Sequence, residues 1–231
     1  TRYISVTGVQ TCALPISGFD NETRLTCTVD EERGLRRARA ATLFTMALPG
    51  SMYLYQGEEL GLPEVRDLDP AVRQDPAWLR SGGRDGMRDG CRVPIPWSGT
   101  DASYGFGPGT ASWLPQPAAW AQLSVAAEDA DPASTLAMYR TALATRRATP
   151  AGAEGPLVWL ASTDDFLAFE RASADGQRVV VALNLAETTA SLPAEWGAEV
   201  LVASSGDVAA MSIDGAAASL VIGGETCVWL A

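Results

Sequence analysis

The hydrophobic pattern changes kind near residue 150, and that change constrains the fold more than any other feature. After Gly155 come LVWLAS, DFLAFERA, QRVVVALNLA, EVLVASS, ASLVIGG and ETCVWLA, short runs separated by Gly, Asp and Ser. Closely spaced strands broken by such turns describe an antiparallel sandwich rather than further helix-covered sheet. Leu157, Trp159, Phe166, Phe169 and Val179–Val181 are expected in its core.

Before the change the text reads differently. In DEERGLRRARAATLFTMALPG, Asp30 suits a cap, Glu31 and Glu32 suit a first turn, and Leu35, Ala38, Thr42 and Met46 recur at helical spacing. Pro49-Gly50 then stops the helix. Ser51–Tyr55 carries strand-forming residues without polar alternation, which predicts a strand buried on both faces of a parallel sheet. Residues 61–132 hold much of the Gly and Pro and show no sustained period, as a functional loop in a compact enzyme would. Ser134–Arg147 resumes helical spacing, starts at Ser134 or at Asp131-Pro132, and places Arg146 and Arg147 where cations suit a helix end.

Charge and residue usage exclude several classes of function. Within 231 residues there are 28 acidic and 17 basic side chains, all 17 of them Arg, so the formal charge is −11. An acidic chain has no electrostatic grip on nucleic acid or an anionic membrane. No His is present, which removes the commonest general base, the Ser-His-Asp and Cys-His systems and most zinc sites. Chemistry here falls to carboxylates, Arg and Tyr. Cys12, Cys27, Cys91 and Cys227 form no CxxC pair and read as scattered thiols of a reducing compartment. The apolar runs are too short to span a bilayer, and no segment from Thr1 has the order of a signal peptide, so a cytoplasmic protein is expected.

Residues 1–17 stand apart. Val6–Ile16 (VTGVQTCALPI) is similar to a translated adapter read, and Thr1–Ser17 is set aside as a non-native segment. The chain is then expected to be a fragment whose own N-terminal part is absent.

GLRRARAATLFTMALPGSMYLYQGEELGLPEV, RQDPAW and GMRDGCRVPIPW, in this order and followed by a helix and a β domain, resemble the C-terminal part of glycoside hydrolase family 13, the alpha-amylase family, and within it the bacterial α-glucosidases. The resemblance covers about Glu31 to Ala231. It implies an α/β plus all-β chain: residues 18–150 as the end of a (β/α)8 barrel (last helix, eighth strand, long loop, closing helix) and residues 151–231 as a Greek-key β-sandwich. The loop from Gln56 would then face the sugar pocket, because barrel sites sit at the C-terminal ends of strands.

Retaining hydrolysis needs a pair of carboxyl groups about 5–5.5 Å apart. In the family these are an Asp and a Glu on the fourth and fifth strands, assisted by an Asp of an Asn-His-Asp motif, all upstream of the eighth strand. This sequence has no His and no room for those strands, so no catalytic residue is assigned and the chain alone is expected to be inactive. Arg92, before Val93-Pro94, matches the family's arginine that pairs with an upstream Asp to close the glucose end of the pocket. Arg88, with Asp89 beside it, and Glu59 are further substrate-binding candidates, against local readings in which Arg88 and Asp89 brace a Gly turn as an ion pair and Glu59 supports the barrel. Trp78, Trp97, Trp113 and Trp120 are read as core or loop anchors, without a claimed subsite. No cofactor or metal is assigned, and any calcium loop belongs upstream. The expected partner is an oligosaccharide. Two other readings are a non-catalytic carbohydrate-binding or assembly module, and a fragment of a glucosyl transferase of the sucrose isomerase or trehalose synthase type.

Overall fold

The computed structural model describes residues 30–84, 88–152, 155–211 and 219–231. The segment 1–17, with Cys12, and Cys27 lie outside the described residues. Among the described residues there are four α-helices, α1 (Glu31–Met46), α2 (Pro76–Ser81), α3 (Val125–Asp129) and α4 (Thr135–Ala148), with 3-10 turns between them. The strands are β1 (Leu157–Ser162), β2 (Phe166–Ala172), β3 (Arg178–Asn184), β4 (Ala190–Ser191), β5 (Val200–Ala203), β6 (Val208–Met211), β7 (Ser219–Ile222) and β8 (Thr226–Leu230). Two compact units result. One takes residues through Leu35 and Leu54–Leu136, and the other takes Arg36–Tyr53 and Ala137–Ala231.

The second unit is the predicted sandwich, with helical segments included. A five-stranded antiparallel sheet runs β1-β2-β3-β8-β5, and a three-stranded sheet runs β4-β7-β6. Successive residues of β3 take opposite faces, as the pleat requires. Val179, Val181 and Leu183 pack with Phe169, Cys227 and Trp229 against Leu43, Met46, Tyr139 and Ala142 of the helices. Val180 and Ala182 pack with Ala168, Val228 and Leu230 against Leu220 and Ile222 of the small sheet. Both faces of the sheet are covered, so β3 and β8 read as continuous apolar runs although the sheet is antiparallel. One cross-strand row, Trp159, Phe169, Val181, Trp229 and Val202, crosses the whole sheet. Its Trp229 indole donates to the Leu43 carbonyl at 3.1 Å.

Three expectations change. Trp159 sits on the helix-packed row, but β1 is the sheet's edge, so its ring is 52% exposed and only touches Phe169 edge-on. Ser51–Tyr55 has no ladder partner among the described residues and Tyr53 is 92% exposed, where a doubly buried strand was expected. A strand's burial depends on neighbours that its own residues do not encode. Cys91 is disulfide-bonded instead of free, whereas Cys227 is a buried thiol.

The helix signals hold locally. Asp30 caps α1 by accepting from the Arg33 amide at 2.9 Å. The start of α4 is capped from a distance: the buried Glu128 carboxylate accepts from the Leu136 amide at 2.8 Å, while the Ser134 hydroxyl donates to the Glu128 carbonyl. Arg146 does not serve its own helix end. Its guanidinium donates to the carbonyls of Met46, Leu48 and Gly50, the orphaned acceptors beyond α1.

The first unit, read from sequence as a loop without elements, has its own apolar core of Leu60, Leu62, Val65, Leu68, Val93, Leu114, Trp120 and Leu136. No helix among the described residues is long and apolar enough to cross a membrane.

Candidate functional site

Two loops of the first unit, residues 73–77 and 88–92, are held by buried charge. Pro76 pre-sets the first turn of α2 and Asp75 caps it, its carboxylate accepting from the Ala77 amide at 3.0 Å. The same carboxylate receives the Arg88 guanidinium twice, Nε and Nη2 each at 2.7 Å, and the Arg88 amide at 3.2 Å. This fork geometry suits a planar guanidinium. The Arg88 hydrogen bond holds the Asp75 carboxyl well below the usual aspartate range, against the opposing pull of its burial. A second buried carboxylate, Asp89, returns the tie by accepting from the Gln74 and Asp75 amides at 3.2 and 3.0 Å. Gly90 lets this turn approach closely, since a Cβ there would lie 2.2 Å from the Val65 carbonyl oxygen. Sequence reading did not single out Asp75, whose aspartate type alone gives no sign of a partner 13 positions away.

Arg92 follows this brace. Its amide donates to the Asp89 carbonyl at 2.9 Å, which fixes the backbone under the side chain. Among the described residues the Arg92 guanidinium makes no hydrogen bond or ion pair, and it lines a cleft of about 630 Å³ together with Gln74, Asp89, Pro94, Phe106 and Trp113. That volume lies within the range of small-molecule sites.

The remaining candidates sit elsewhere. Arg88 is engaged by Asp75, 13 positions upstream, rather than in an ion pair local to the Gly turn. Glu59 accepts from the Gly57 amide at 2.8 Å and so ties the turn after Gln56, in which Gly57 takes φ of 85°. Neither Arg88 nor Glu59 lines the cleft. Burial raises the neighbouring Glu58 carboxyl above its ordinary value, with a smaller contribution from the charge of Glu59. Arg73, also missed in the sequence, is buried beneath Trp78 at 5.0 Å from the ring centre and donates to the carbonyls of Leu68 and Arg66. Among the described residues no three acidic, Cys or His side chains converge to hold a metal.

The arrangement is therefore a rigid wall carrying one unengaged guanidinium. Its planar fork suits a carboxylate or hydroxyl oxygens, and among the described residues lining the cleft Asp89 is the one carboxylate.

Comparison with known proteins gives consistent findings. A family model described as Alpha amylase, catalytic domain, matches residues 6–155, a span that includes part of the segment set aside above. A "Probable alpha-glucosidase" of Rhizobium meliloti is 35% identical over 67% of this chain and 27% of its own length. A "Salivary alpha-glucosidase" of Anopheles gambiae is 34% identical over 69% of this chain and 27% of its own. The crystal structure of an alpha-glucosyl transfer enzyme, XgtA, superposes with a TM-score of 0.67 at 33% identity, covering 84% of this chain and 35% of that one. The chain thus spans little more than a quarter of the length of the relatives and about a third of the solved enzyme.

Proposed function

The chain belongs to the alpha-amylase family, and from that premise we propose that it is the part of a retaining α-glucosidase that closes the glucose end of the substrate pocket. The enzyme would release terminal α-linked glucose from oligosaccharides. In this reading residues 18–150 complete a barrel, residues 151–231 form the Greek-key module, and residues 1–17 play no part.

One observation carries the reading: Arg92, alone among the three substrate-binding candidates, lines the cleft with an unengaged guanidinium. A partner carboxylate from outside these residues would complete it. Arg88 and Glu59 then act one step back, Arg88 through Asp75 and Glu59 through the Gly57 turn. The catalytic nucleophile and acid are not among these residues, so the chain alone does not turn over. The test is glucose release from maltose. The purified chain should give none above buffer, and a graft of residues 31–231 onto the upstream portion of the Rhizobium relative should restore it. Turnover by the isolated chain contradicts the reading.

A second reading shifts the parent to a glucosyl transferase. It is favoured by the likeness to the alpha-glucosyl transfer enzyme, and sugar products in place of free glucose from the graft would select it.

A further inference from the structure

Asp75 does not line the cleft, and neither does the Arg88 that it holds. Buried carboxylates are expected to be paired, but the pairing here runs in both directions. Asp75 is fully buried and takes the Arg88 guanidinium on both of its oxygens and the Arg88 amide on one. Asp89 in turn takes the amides of Gln74 and Asp75. Segments 74–75 and 88–89 therefore clasp each other through two side chains. The turn that follows is pinned at a second point, where the Val65 amide donates to the Gly90 carbonyl at 3.1 Å. Arg92 is tied to the end of this turn by its amide, and Gln74, Asp89 and Arg92 all line the cleft.

We infer that Asp75 is a positioning residue for Arg92, acting through the Arg88–Asp89 turn and touching no ligand itself. Asp75 fixes the turn at Arg88, Asp89 returns the tie, and the Arg92 amide on the Asp89 carbonyl carries the constraint to the residue that faces the cleft. The negative charge is the part that matters. The Arg88 side chain is 44% exposed, so water competes for its guanidinium, and a charged acceptor holds it about twice as strongly as a neutral one. With Asn at position 75 the fork meets one acceptor oxygen and a donor amide in place of two acceptors. Arg92 then samples several positions in the cleft, and ordering it on binding costs affinity. The consequence for sugar rests on the glucose-closing reading, whereas the clasp does not.

The test is a double-mutant cycle on kcat/KM for maltose in the graft onto the Rhizobium relative, with Asp75→Asn and Arg92→Ala made singly and together. Asp75→Asn alone should lower kcat/KM about tenfold, mostly through a higher KM. With Arg92→Ala already present the same change should alter it less than about twofold, since no arginine is left to position. Should Asp75→Asn fail to fold, Arg88→Lys carries the cycle: it keeps the charge beside Asp75, loses the fork, and should cost about threefold with Arg92 and nothing without it. An equal fall in both backgrounds makes Asp75 a structural support alone and overturns the inference. So does an Asp75→Asn graft that matches the parent while Arg92→Ala is costly, a result that leaves the glucose-closing reading standing. If Arg92→Ala has no effect, that reading falls, and the Arg92 Nε–Hε NMR signal of the isolated chain decides the clasp. The signal should shift or broaden on Asp75→Asn, and an unchanged signal overturns the positioning role.

Discussion

The two units of this chain solve the same stability problem by different means. In the β-containing unit an antiparallel sheet is buried on both faces, and its central strands are apolar at nearly every position. In the cleft unit a smaller apolar core is supplemented by buried Asp75, Asp89 and Arg73, which tie loops that have no ladder of their own. Apolar burial is non-directional and tolerates changes in neighbours, whereas buried charge demands a fixed geometry and fails when a partner is lost. A scaffold is best built the first way, and a binding wall that must not move is best built the second way.

Mutations that unsettle each unit should separate these means. Phe169→Ala removes a fully buried ring from the cross-strand row and should cost about 3–5 kcal/mol, seen as lost amide-exchange protection across β3 and β8. If protection there is unchanged, the row is not what organises the sheet. Asp89→Asn keeps shape but weakens two charge-assisted acceptor bonds, and should cost about 1–3 kcal/mol, confined to the amides of Gln74 and Asp75. An equal loss across the sheet strands would erase the distinction between the units.

Acid should act on the cleft unit through Asp75. Its carboxyl is depressed in the fold, so its contribution is full above the unfolded value of about 4 and is lost as pH falls below that toward the folded value. Amide chemical shifts of Ala77 and Arg88 should be constant from pH 7 to about 4 and move only below it. Movement centred above that range contradicts the Arg88 brace. The smallest effect belongs to the exposed Arg178–Glu170 pair at 3.2 Å, where Arg178→Ala should change stability by about 1 kcal/mol or less.

Legibility in the sequence follows the same division. α1 is readable because its cap, Asp30, and its stop, Pro49-Gly50, are local. The strands after Gly155 are readable because turns punctuate them, but which run lies at the edge is not local, so the exposure of Trp159 is missed. Ser51–Tyr55 fails for a related reason, since apolar residues declare a tendency to pair and not the presence of a pairing strand. Arg92 is named from its motif, and in the structure it lines the cleft. Asp75, and the ties it makes to Arg88 and Asp89, depend on how loops fold back on one another, and residue types in a loop carry little of that information.

The central claim is that this chain contributes an arginine that grips the terminal glucose and leaves bond cleavage to carboxylates outside it. The most direct measurement is kcat/KM for maltose in the graft onto the Rhizobium relative, with Arg92 against Arg92→Ala. A site built around a charged donor loses much when that donor is removed, so a fall of about a hundredfold or more is expected. A value within about twofold of the parent graft would show that Arg92 does not hold the sugar.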